Sequence, residues 1–179
     1  MIETKRLILR EWQQEDLLPF FHMNNDPEVM KYFPSALIQQ KSDEYAEEIQ
    51  RRISINDWGF WAVELKGDRS FIGFVGLNQP GIDLPFTPCV EVGWRLTRNA
   101  WGKGYASEAA KKSLEFAFGE LGLHEVVSFT PVINSRSQAV MKRIGMKNTG
   151  ENFLHPSVQR ESPLAEHVLY KISRVEFKI

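Results

Sequence analysis

The chain has 179 residues, enough for one domain with its own core, and its 42% hydrophobic and 25% charged content is that of an ordinary water-soluble globule. A formal charge of −1 excludes the broad basic field of a nucleic-acid binder. A single cysteine, Cys89, excludes an internal disulfide, and no apolar run approaches the ~20 residues that span a bilayer.

The opening MIETKRLILREW runs straight into strand-like alternation without the apolar core of a signal peptide, so a cytoplasmic location is expected. RLILREW reads as the first strand, and a short helix is predicted near Asp16–Asn24. DPEVMKYF reads as the start of a second helix, with Asp26 as its cap and Pro27 at its first position. Tyr45, Ile49 and Ile53 recur every fourth residue, which predicts a helix from Ser42 to about Ile53. GFWAVEL, a turn at KGDR and FIGFVGL make an antiparallel hairpin. NQPGIDLPFTP, rich in proline, is a loop.

VEVGWRL is the next strand, and Ala106, Ala110, Leu114, Ala117 and Leu121 mark one face of a helix. EVVSFT returns as a strand. SRSQAVMKRI is a helix with Asn134 as cap and Gly145 as stop, and EHVLYKI is the final strand. One more strand fits after Gly145. The order predicts an α/β fold, a mixed sheet of about six to seven strands flanked by helices. No linker, repeat or low-complexity tract interrupts it, so residues 1–179 are expected to form a single domain.

The most informative stretch is RLTRNAWGKGYASEAAKKSLEFAF, where Gly-Lys-Gly joins a strand to a helix. Such a junction points unpaired N–H groups outward, the helix dipole adds positive potential, and glycines let a large anion reach the backbone. Phosphate is the natural ligand. A nucleotide P-loop is excluded, because Gly104 follows Lys103 where Ser or Thr is required and Thr97 stands in place of the first glycine. A dinucleotide fingerprint matches only weakly, with Ser107 at its third glycine. A plain strand-to-helix turn is the third reading.

RLILREW, NDPEVMKYF, FIGFVGL, VEVGWRL…WGKGYASEA and NSRSQAVMKRIGM together resemble the GNAT N-acetyltransferase superfamily, and within it the branch of RimJ/RimL ribosomal-protein N-terminal acetyltransferases. The resemblance runs from about Arg6 to Tyr170. It implies a GNAT-like fold whose central sheet is mostly antiparallel. It also implies that Trp101, Gly102, Lys103, Gly104, Tyr105, Ala106 and Ser107 cradle the pyrophosphate of acetyl-CoA, with the backbone of Trp94, Arg95 and Leu96 beside pantetheine and Asn134 near it. One departure is Asn99, at a position where the superfamily often has Gln or Arg; Arg98 stands beside it.

Acetyl transfer from a thioester to an amine needs a neutral amine. An α-amine (pKa about 7.7–8.0) is about 10% neutral at pH 7, whereas a lysine is about 3 units short. One carboxylate therefore suffices as base for the former. Glu91 is the candidate: it alternates with Val90 and Val92 on the strand that feeds the glycine loop, and a plain solvated carboxylate is the alternative. Ser137 resembles the serine that protonates the leaving thiolate in this branch; otherwise it is a first-turn serine bonded to the cap. His155, in FLHPSV, is an alternative base. Tyr170 is expected in the sheet core, and Cys89 lacks an adjacent base. The four histidines have no ligand spacing, so no metal is expected.

The expected function is an acetyl-CoA-dependent N-acetyltransferase acting by direct attack on a primary amine, without nucleic acid or membrane, as a monomer or homodimer. The alternative is a non-catalytic acyl-CoA-binding or regulatory module on the same fold. A protein N-terminus, a polyamine, an antibiotic or another small amine all remain open as acceptor.

Overall fold

A computed structural model of the chain describes residues 1–177. The elements run β1 (Ile2–Glu3), β2 (Leu7–Arg10), α1 (Leu17–Asn25), α2 (Gln39–Asn56), β3 (Phe60–Leu65), β4 (Phe71–Asn78), β5 (Glu91–Leu96), α3 (Tyr105–Gly119), β6 (Glu125–Pro131), α4 (Ser135–Arg143), β7 (Lys147–Asn148), β8 (Phe153–Leu154) and β9 (Glu166–Ser173). Among the described residues the strands form one nine-stranded sheet, in the order β1-β2-β3-β4-β5-β6-β9-β7, with β8 also paired to β9. The three strands beyond the six longer ones, β1, β7 and β8, have two residues each, too few to leave a periodic signal.

Every pairing is antiparallel except β5 with β6, which run parallel and touch in register only at Glu91 and Val127. Beyond that point the two strands separate, and a cleft opens in the middle of the sheet. Alternation decides which helix sees which side chain. Trp61 on β3 points to α3, where its ring meets Phe116 at 5.3 Å. Phe74 on β4 points the other way, into a cluster with Phe20 of α1, Tyr45 of α2 and Trp12. The sheet is thus covered on both faces, and its central strands are buried throughout, as Leu7 to Arg10 and Ile72 to Leu77 show.

The DPEVMKYF helix does not form; residues 26–33 are turns. Asp26 does cap, its Oδ1 accepting the Glu28 N–H at 2.9 Å, and one helical turn closes from Met30 N–H to Asp26 O at 3.0 Å. Pro34 then disfavours helical geometry at Phe33, and so short a run cannot offset its nucleation cost. The other breaks fall where expected. Gly145 ends α4 at φ 91°, donating to Lys142 O while Met146 N–H reaches Met141 O, the paired closure that a left-handed residue allows.

Candidate active site

The cleft beyond Glu91 leaves one edge of β5 open. Thr97 N–H donates to Ile72 O, and ladder bonds alternate along an antiparallel pair, so Arg95 turns its backbone groups to β4 while Trp94 and Leu96 turn theirs to the cleft. Val90 O, two positions before Val92 on that edge, accepts from Val127 N–H of β6 before the strands part. The Leu96 carbonyl is taken by the Trp101 indole N–H at 2.9 Å, which ties the loop entering α3 back to the strand. Arg95 stands apart from this edge. Its side chain lies on the other face, with Nη1 donating to Asn24 Oδ1 at 2.6 Å and its guanidinium 4.1 Å from the Phe33 ring centre.

The glycine loop closes over the N-terminus of α3. Gly102 and Gly104 hold φ of 73° and 80°, which L side chains rarely adopt. A Cβ on Gly102 would meet nothing, and one on Gly104 only the tip of Arg6 at 3.5 Å, so the open space above both is not required by the packing of the chain. No side chain caps α3, and its first intrahelical bond runs from Glu108 N–H to Gly104 O. The free N–H groups ahead of it make an anion seat. Lys103 is exposed; Tyr105 and Ala106 are half-buried; Ser107 is buried, its Oγ accepting from Arg143 Nη1 at 3.3 Å. Arg6 braces the loop by donating to Lys103 O and to Glu108 while lying over the Tyr105 ring.

Two cations here escaped the sequence reading. Arg136 lies 4.3 Å from the Trp101 ring centre, and Arg143 reaches Ser107. They are seven residues apart, two turns along one face of α4, and that spacing was the available signal.

Asn134 caps α4, its Oδ1 accepting from Ser137 N–H at 3.2 Å. Its Nδ2 donates to Thr130 Oγ1 at 2.8 Å and to Ser137 Oγ at 3.1 Å. The amide is therefore fully engaged within the chain and holds Ser137 in place. Because Ser137 Oγ accepts, its own proton is free to be given away.

On the opposite face of β5, Glu91 lines a cavity of about 250 Å³ together with residues of α2, β3, β4 and the loop after β4. Asn78 Nδ2 donates to Glu91 Oε1 at 2.7 Å, and Arg52 donates to Asn78 Oδ1 at 2.8 Å. Burial pushes the Glu91 carboxyl up to about 7, although the Asn78 hydrogen bond and Arg52 pull the other way. It is thus poised near neutrality, where a general base works best. His155 lines the same cavity, but Ser157 N–H donates to its Nδ1, which leaves the ring proton on Nε2. Burial also holds His155 below the usual imidazole range, so the ring stays neutral and, with Nδ1 engaged, presents an N–H donor to the cavity.

Burial, aided by Glu91, pushes the Cys89 thiol up to about 11, which argues against an acyl-cysteine. Tyr170 is 1% exposed and donates to Gln138 Oε1. Among the described residues no group of three or more His, Cys, Asp or Glu side chains could hold a metal ion.

Residues 6–147 match the family model described as acetyltransferase (GNAT) domain. The chain is 32% identical over 149 residues to uncharacterized N-acetyltransferase YnaD of Bacillus subtilis (strain 168), covering 83% of this chain and 84% of that protein. It is also 32% identical over 186 residues to FsC-acetyl coenzyme A-N(2)-transacetylase of Aspergillus fumigatus, covering 98% of this chain and 77% of the relative. In fold it resembles a GNAT-family acetyltransferase from Bacillus anthracis, with a TM-score of 0.81 at 24% identity over 98% of this chain and 99% of the other.

Proposed function

The chain belongs to the GNAT acetyltransferase family, and we propose that it moves the acetyl group of acetyl-CoA directly onto a primary amine, of a protein N-terminus or of a small molecule. Within the family the motifs shared with the RimJ/RimL branch support the same chemistry. The observation that carries the reading is the opposition of two features across β5: an open anion seat and bare strand edge on one side, and Glu91 in a cavity on the other.

Acetyl-CoA, when bound, supplies the thioester. The N–H groups ahead of Glu108 hold phosphate, with Lys103, Arg136 and Arg143 at the rim. Trp94 and Leu96 present backbone N–H groups to the cleft, available to pantetheine and to the acetyl oxygen as negative charge grows on it. Glu91 takes a proton from the attacking amine on Oε2, since Oε1 is held by Asn78. Ser137 gives its hydroxyl proton to the departing sulfur, a helpful step although a thiol of pKa about 8.5 leaves readily. One C–N bond forms and one C–S bond breaks; the amine proton passes to Glu91, the sulfur takes the Ser137 proton, and solvent returns an equal proton from Glu91 to Ser137, so neither residue is left changed.

Two measurements test this reading. Acetyl-CoA at 100 times its Kd stabilises the fold by about 2.7 kcal/mol, a rise in Tm of about 5–10 °C for a chain of this size. Thiol release should then require an added primary amine. A rise in Tm with NADH and none with acetyl-CoA would restore the dinucleotide reading.

A further inference from the structure

The cavity beside Glu91 carries chemistry of its own. Its apolar lining comes from Tyr45, Phe60, Phe129, Ile49 and Ile82 with His155, and its polar lining from Glu48, Arg52, Asn78 and Glu91. Phe129 and His155 are fixed from behind by an aromatic cluster: Phe86 and Phe153 lie 5.6 and 5.8 Å from Phe129, and His167 stacks 4.8 Å from His155. Burial pushes His167 down to about 4, so this wall stays uncharged at neutral pH.

Two carboxylates reach the cavity, and one of them is spent. Glu48 has Arg51 on both oxygens and Arg52 on Oε1, at 2.7–2.8 Å. Glu91 keeps Oε2 free. Arg52 is the neighbouring cation, so a second ammonium entering the cavity would find a positive charge and no free acid to pair with. An apolar cavity of about 150 Å³ accepts a benzene ring. The 250 Å³ here has room for a ring and a short alkyl arm.

We propose that the acceptor is a primary monoamine on an apolar, ring-sized body, an arylalkylamine in chemical class, whose amine meets Glu91 and whose ring lies against Phe129, Phe60 and His155. This rests on the acetyltransferase reading for the reaction, but the recognition stands on the cavity alone. A polyamine lacks its second counter-charge, and a peptide N-terminus would set its amides against apolar walls.

The test uses 2-phenylethylamine, spermidine and a serine-initiated tetrapeptide amide. Binding of each is measured by calorimetry with and without CoA, and thiol release from acetyl-CoA is followed in parallel. Phenylethylamine should bind and turn over at least about 10-fold better than the other two. Phe129→Ala should weaken it by about 10-fold or more while leaving spermidine nearly unchanged. Phe129 supports the wall, so a fold-safe change is needed too. Ile82→Glu, at an exposed loop position, adds a second acid and should shift the preference toward spermidine. Spermidine or the peptide as the preferred ligand of the unmodified protein overturns the proposal, as does a ranking that Ile82→Glu leaves intact. Tight phenylethylamine binding without thiol release removes the transferase reading and leaves the pocket; thiol release best with spermidine does the reverse.

Discussion

Glu91 shows how far a single residue could be read. Alternation along VEVGW placed its side chain opposite Val90 and Val92, and the structure puts it there, lining a cavity. What sets its pKa lies on other elements: burial raises it, while two polar partners pull it down. Asn78 sits directly across the ladder on β4, and Arg52 comes from α2. No local pattern in the sequence brings those three together. The raised value sets a sign. A base must be ionised, so kcat/KM should climb as pH rises through about 7. Glu91→Gln keeps the shape and the Asn78 contact but removes the basicity; it should leave acetyl-CoA affinity unchanged and lower turnover by about 10²–10⁴-fold above that pH. The deficit should narrow again at high pH, where solvent delivers neutral amine. Rate profiles from pH 6 to 9.5 on both proteins decide this, and a deficit constant across that range would assign Glu91 to positioning alone. The same carboxyl affects stability. Its folded pKa lies above its unfolded value, so it costs stability as pH rises from about 4.5 through about 7, and Glu91→Gln should gain Tm relative to the parent above pH 7.

At the scale of elements, the strongly periodic segments were legible. The helix containing Tyr45, Ile49 and Ile53, the hairpin around KGDR and the helix after the glycines all appear. The failure at residues 26–33 has a physical cause: cap and first-position signals were present, but Pro34 denied the run its length. The glycine loop was recognisable because positive φ demands particular residue types. Its backbone character makes a prediction. Gly104→Val should weaken CoA binding more than Lys103→Ala, since a side chain blocks approach to the N–H groups whereas the lysine adds only an exposed, screened charge. Calorimetry on both variants, with Tm as a control for loop strain, gives the order; the reverse order would make side-chain charge the holding force. A second element-level feature went unread. Arg10 of β2, 7% exposed, donates to Glu64 of β3 at 2.6 Å and to both oxygens of Asp16 ahead of α1. Arg10→Leu leaves buried Asp16 without a cation and buried Glu64 with only the exposed Arg69, and should cost about 3–5 kcal/mol in denaturant unfolding at pH 7. A loss below about 1 kcal/mol would show that water already compensates those charges.

For the whole molecule, the decisive event is the parting of β5 from β6 after a single registered pair. It exposes the Trp94 and Leu96 backbone edge to the cleft, and the glycine loop follows directly from the same strand. Neither the separation nor the nine-strand order is written in any local period; both depend on pairings between strands far apart in the chain, such as β6 with β9. The glycine loop and the Glu91 cavity thus lie on opposite sides of β5, with the cleft between β5 and β6 beside both. Acetyl-CoA carrying a carbon-13 acetyl group, incubated with the protein and a primary amine, tests the proposed transfer most directly by mass spectrometry of both products. Direct transfer predicts the label on the amine nitrogen in amounts equal to the thiol released, with no labelled protein. Thiol release without an acetylated amine, or a labelled covalent protein that forms before the amine product, would contradict it.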